Sequence, residues 1–197
     1  MLQETTKTHI LASTINAIEK FGIQGLTTRA IAREADVNNA ALHYYFGTKE
    51  NLIRSALNHS LEHWMEDTDK IIESECDNKD KLYNLFSYLT KGILRYPNLI
   101  RAHLNAPLMH GNPDSSITSI LETWMNLISS SMEGDLTSEQ RYRLQLFIFS
   151  GLASVIFAGL FPDTEAIINR INLHDENKRR AFINLIVDNI LAQAASK

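Results

Sequence analysis

Between Thr27 and Lys49 the chain reads TTRAIAREADVNNAALHYYFGTK, and this stretch allows few folds. Ala30, Ile31 and Ala35 give one short helix a small apolar face, and Leu42 and Phe46, four apart, give a second helix its own. Thr27 can cap the first helix and Asn38 the second, because their side-chain oxygens accept amide protons that a helix start leaves unpaired. Asp36 falls in the turn between them, where a left-handed backbone is needed, and aspartate tolerates that better than most residues. Two helices this short make no core alone. Their arrangement serves to hold the second helix outward, where it can enter the major groove of DNA.

A preceding helix from about Thr8 to Phe21, with Leu11, Ile15 and Ile18 on one stripe, would brace this pair, and Gly22 and Gly25 bracket its end. Steps of 100° from Leu42 and Phe46 put Ala40, Ala41, His43 and Tyr44 on the outer arc of the second helix, with Tyr45 on its flank. Asn39 can pair with adenine, and His43 and Tyr44 can donate hydrogen bonds or pack on thymine methyls. Lys49 and the amides at the start of the following helix suit an anion, whereas Arg29 suits phosphate or a base. The alternative, a helical hairpin with no ligand, would leave Asn38, Asn39, His43 and Tyr44 merely solvated.

The residues Gly25-Leu26-Thr27-Thr28-Arg29, Ile31-Ala32, Ala35, Val37, Leu42, Tyr44-Tyr45-Phe46 and Thr48-Lys49-Glu50-Asn51-Leu52 resemble the DNA-binding domain of the TetR family of bacterial transcription regulators. The resemblance implies an all-α fold of about nine helices. A three-helix helix-turn-helix head over residues 1–48 would precede a helical effector-binding and dimerisation lobe over 49–197. It further implies DNA contacts from Thr28, Arg29, Asn38, Asn39, Ala41, His43, Tyr44, Tyr45 and Lys49, with Thr28, Tyr45 and Lys49 on phosphates. Four features depart from the family pattern: Asp36 stands where glycine is usual, His43 where tyrosine is frequent, Gly47 where lysine is frequent, and Asn39-Ala40 replaces a pair that commonly includes a basic residue. The DNA sequence that is read therefore does not carry over, and a shallower salt dependence is expected.

The formal charge of the 197 residues is −4, which argues against a nucleic-acid binder until its distribution is considered. From Glu62 to Asp80 there are eight acids and two lysines, whereas Val37 to Lys49 contains no acid. Acids beyond a Debye length of roughly 8 Å from the duplex do little harm. The single cysteine, Cys76, excludes an internal disulfide and fits a reducing cytoplasm, the expected location. The first ten residues lack the basic-then-apolar order of a signal peptide.

Thr48 is placed to cap a long helix over about 49–75 that links head and lobe. His59 and His63 lie one turn apart near Glu62 and Glu66, a spacing able to hold a metal. Without a richer ligand set they read as solvated or packed histidines, and no metal or other cofactor is expected. No phosphate loop, nucleophile elbow or carboxylate pair suggests an enzyme.

In the lobe, helices are expected over about 82–95, 98–105, 115–128, 137–161 and 177–194, with a loop from Pro107 to Pro113. The segment LQLFIFSGLASVIFAGLF raises the question of a membrane span. Its serines, glutamine and glycines, in a chain of mean hydropathy −0.17, fit a helix buried on both sides better, so no membrane partner is expected. Candidate effector-binding residues are Phe86, Tyr88, Leu89, Ile93, His103, Met109, His110, Ile120, Trp124, Gln145 and Phe147, suited to an apolar or amphipathic molecule. Ser150, Ser154 and Ala158 form a small-residue stripe. By the resemblance, they and Phe182, Ile186 and Ile190 would belong to a homodimer interface. The function implied is that of a dimeric repressor released from a palindromic operator in double-stranded DNA by a small effector. The other class considered is a helical scaffold protein with a non-functional head.

Overall fold

Polar residues placed just before apolar stretches start the helices. Thr27 Oγ1 accepts the Ala30 amide at 3.1 Å, Asn38 Oδ1 the Ala41 amide at 2.9 Å and Thr48 Oγ1 the Asn51 amide at 3.1 Å. Asp77 and Asp175 do the same further on, and Thr137 and Gln140 cap reciprocally. In the computed structural model, residues 2–110, 116–131, 136–160 and 172–195 are described. They form nine helices and no strand: α1 Leu2–Gly25, α2 Thr28–Glu34, α3 Asn39–Phe46, α4 Lys49–Ile72, α5 Asn78–Arg95, α6 Pro97–His110, α7 Ser116–Ser131, α8 Ser138–Leu160 and α9 Glu176–Ala195. The all-α fold expected from the sequence is the fold observed.

Two differences in helix bounds have local causes. α1 departs from helical geometry at Gly22, where φ is 66°, so the chain turns at the glycine expected to end it. α6 runs on to His110 instead of stopping near Asn105, passing through Pro107; that proline removes one amide donor without ending the helix. The remainder of the expected loop, residues 111–113, lies outside the described residues.

The chain divides into two compact units, Met1–Met65 with Tyr96–Ile117, and Glu66–Arg95 with Thr118–Lys197. This division does not fall at residue 48. In the first unit, Ile10, Ala17 and Ile18 of α1, Ile31, Ala32 and Ala35, Leu42 and Phe46, and Leu52 of α4 share one core with Leu99 and Ala102 of α6. Polar ties hold α6 there as well. The Glu19 carboxylate accepts the Leu99 amide at 3.0 Å, and the Glu19 carbonyl accepts from Asn98 Nδ2 at 2.9 Å. Burial pushes the Glu19 carboxyl above its ordinary range, although the backbone amides of Leu99 and Asn98 and the charge of Arg101 pull it back.

The second unit is built on α5, α8 and α9. Two glycines of α8 permit close approach: a Cβ on Gly151 would lie 2.7 Å from Ile186 Cγ2, and one on Gly159 would overlap Ile93 Cγ2. Leu144, Ile148, Leu152 and Val155 share that inward face. Asp67 and Thr68, adjacent on α4, anchor two other helices: Tyr88 donates to Asp67 Oδ2 at 2.9 Å, and Trp124 Nε1 donates to Thr68 Oγ1 at 3.1 Å.

Candidate nucleic-acid interface

The first three helices fold into an arrangement that leaves one surface of α3 unused. Leu42 and Phe46 are buried and fix the helix, while Asn39, Ala40, His43 and Tyr44 are exposed, Tyr44 by 73%. Asp36 takes φ 49°, the left-handed turn conformation expected of it. The Tyr44 and Tyr45 rings meet edge to face with centroids 5.1 Å apart, which restrains both.

The proposed DNA contacts are not equivalent. Asn38 uses its oxygen on the Ala41 amide and retains only its amino group for a ligand. Asn39, the first residue of α3, is exposed and keeps both halves of its amide for a base edge. His43 is bonded within its own turn, its Nδ1 lying 2.8 Å from the Gly47 carbonyl oxygen. Arg29 is exposed; Thr28, Ala41, Tyr45 and Lys49 are half-buried. Thr28 and Lys49 are the first residues of α2 and α4, where unpaired amides favour phosphate.

The residues proposed for the effector are divided between the two units. His103 belongs to the first unit, buried on α6, with Nε2 2.9 Å from Ser60 Oγ and its ring 5.4 Å from that of Trp64. Ser60 gives its one proton to the Leu57 carbonyl, so His103 Nε2–H must be the donor to Ser60. Burial pushes the His103 imidazole down to about 4, so the ring is neutral near pH 7.

In the second unit, Phe86, Leu89, Ile93 and Trp124 are buried, Phe86 and Ile93 facing the two α8 glycines. Tyr88 and Gln145 are half-buried, and burial first, then Asp67, raises the Tyr88 phenol. Phe147, expected to point inward, is 37% exposed, because the inward face of α8 is the one carrying Gly151 and Gly159. The side chains of Met109, His110 and Ile120 lie outside the described residues.

The proposed interface also needs correction. Ser150 and Ser154 are exposed and Ala158 and Phe182 half-buried, but Ile186 and Ile190 are buried within the unit's own core. The exposed apolar side chains are others: Tyr142, Leu146, Phe149 and Phe157 on α8, and Leu185, 63% exposed, on α9. Helical steps from the buried Leu144 and Ile148 place the four α8 residues on the opposite side, once burial has shown which face is inward. α8 is long and apolar enough to cross a bilayer, and only 33% of its most apolar window is buried inside the chain. Among the described residues no group of three or more potential metal ligands converges, and His59 lies 3.9 Å from Glu62 alone.

Residues 10–56 match the model of the bacterial regulatory proteins of the tetR family. The chain is 21% identical over 166 residues to the HTH-type transcriptional regulator BetI of Burkholderia lata, covering 84% of this chain and 74% of the relative. Its fold is similar to that of a transcriptional regulator from Rhodococcus sp. RHA1, with TM-score 0.70, 17% identity and coverage of 94% and 96% of the two chains. It is likewise similar to FadR from Bacillus subtilis, solved in complex with stearoyl-CoA, with TM-score 0.60, 16% identity and coverage of 96% and 97%. The capped helix-turn-helix that exposes one face of α3 thus lies within the segment that matches the tetR family of bacterial regulatory proteins.

Proposed function

We propose that this chain is a cytoplasmic, homodimeric repressor that reads a pseudo-palindromic operator and is released by a small apolar or amphipathic effector. The observation that carries the DNA reading is the exposed surface of α3, with Asn39, His43 and Tyr44 presented over a buried Leu42 and Phe46. Arg29 and the helix starts at Thr28 and Lys49 then supply the phosphate contacts that set register. Two heads related by a two-fold axis would engage half-sites about 34–36 Å apart, one turn of duplex.

The dimer reading is supported by Leu146, Phe149, Phe157 and Leu185, large apolar side chains left exposed on α8 and α9. A second copy covers such a face, with the exposed Ser150 and Ser154 allowing close approach, and this accounts for α8 without a membrane. The effector reading is supported by FadR, a relative in fold whose complex holds a long-chain acyl thioester. Leu89, Tyr88, Trp124 and Gln145 offer an apolar setting with polar handles. A ligand that takes the Tyr88 hydroxyl or the Trp124 N–H from Asp67 or Thr68 releases α4 from its anchors, and so favours a second conformation. Only its preference for that conformation matters; tight binding to both shifts nothing.

The test is selection of binding sites from a random duplex pool, followed by anisotropy at two salt concentrations. An inverted repeat bound specifically, and weakened by Asn39→Ala, is the expected result. Recovery of no motif, with weak and strongly salt-dependent binding only, would favour the scaffold reading instead.

A further inference from the structure

One side chain on the exposed face of α3 has its proton already committed. His43 Nδ1 lies 2.8 Å from the Gly47 carbonyl oxygen, and a carbonyl oxygen only accepts, so Nδ1 carries the hydrogen. The same pair is joined a second time, by the Gly47 amide donating to the His43 carbonyl at 2.9 Å. Gly47 closes the helix at φ 73°, a conformation that other residues rarely adopt. The imidazole is therefore tied to the end of its own helix, and its tautomer follows from that tie. In the neutral ring Nε2 has a lone pair and no proton. Among the described residues no hydrogen bond engages Nε2, and the side chain is exposed.

An obligate acceptor at this position restricts what can be read. In the major groove, hydrogens are offered by the exocyclic amino groups of adenine and cytosine, whereas guanine and the thymine oxygen offer only acceptors. Phosphate oxygens also only accept, so a neutral His43 cannot serve as a backbone anchor. Its neighbours lack this restriction: the hydroxyls of Tyr44 and Tyr45 both donate and accept, and Asn39 presents a donor and an acceptor together.

We infer that His43 is a specificity-determining acceptor, selecting a base with an exocyclic amino group, adenine or cytosine, at one position of each half-site and rejecting guanine there. This rests on the reading of α3 as the recognition helix.

The experiment uses the full chain at about pH 8. Binding sites are selected with wild-type protein and with His43→Ala. Duplexes are then made in which the selected adenine is replaced by purine, or the selected cytosine by 4-deaminocytosine, deleting the amino group alone. The expected result is a half-site position where wild type prefers adenine or cytosine and His43→Ala has no preference. Deleting that amino group should cost wild type about ten-fold in affinity and His43→Ala nothing. A His43-dependent preference for guanine, or a motif whose binding is insensitive to every such deletion, would overturn the inference while leaving the recognition helix standing. Recovery of no motif by wild type would overturn the recognition reading itself, and this inference with it. Because Asn39 can also engage an adenine amino group, the assignment needs a His43 variant, and His43→Phe takes the place of His43→Ala if the latter folds poorly.

Discussion

At the scale of single residues, backbone conformation and burial make separate demands. Asp36 stands at φ 49° in the turn between α2 and α3, where the absence of a Cβ removes strain. Asp36→Gly should hold or raise the melting temperature, whereas the β-branched Asp36→Val should lower stability by about 1–2 kcal/mol. Thermal melts of the two variants beside wild type test this. His103 makes a demand of solvent. Burial holds its imidazole at about 4, against an ordinary 6.5. Between those values an unfolded chain takes up a proton that the folded chain refuses. Its contribution is therefore fully present above about pH 6.5 and is lost as pH falls toward 4. By pH 5 the loss should be about 2 kcal/mol. Urea unfolding at pH 7 and pH 5 measures it, and His103→Phe should show a pH difference smaller by about that amount.

Among the helices, the two glycines of α8 decide how it sits in its unit. Gly159→Ala would drive a methyl into Ile93, and should destabilise by about 1–3 kcal/mol, as overpacked cores do. Ile93→Ala in the same chain should recover part of that loss, so a double-mutant cycle by denaturant titration should give a coupling of about 1 kcal/mol. The same helix shows what the sequence discloses. The caps Thr27, Asn38 and Thr48 and the left-handed Asp36 are legible because each depends on bonds within four residues. The buried Leu42 and Phe46 are legible by spacing, as is the exposed arc of α3. The orientation of α8 is not, because it is apolar on nearly every side and hydrophobicity then names no inward face. Only the steric space beside Gly151 and Gly159 does so, which is why Phe147 and Ile186 lie on faces other than those expected. The turn from His43 to Gly47 was open to inspection as a spacing of four, but the direction of its hydrogen bond needs atoms.

For the whole molecule, assembly and integrity are the testable properties. Phe157 and Leu185, 56% and 63% exposed, lie on the face assigned to a second copy. Phe157→Asp or Leu185→Asp should shift the sedimentation of the chain from dimer to monomer and weaken operator binding at least ten-fold, while the far-ultraviolet spectrum stays helical. Retention of a dimer by both variants would place the interface elsewhere. A last consequence concerns α6, whose Leu99 and Ala102 complete the core beneath α1 and whose Asn98 and Leu99 are tied to Glu19, a residue 79 and 80 positions earlier. Burial of a single leucine side chain is worth about 1.5–3 kcal/mol, a large share of the stability of so small a head. Regulators are often imagined as interchangeable readers and sensors, to be recombined by cutting between them. A reader excised from this chain at residue 48, or at the end of α4, would leave behind part of its own interior. A chimera that is to keep this specificity must therefore carry residues 96–110 along, and the sensor spliced to it inherits them.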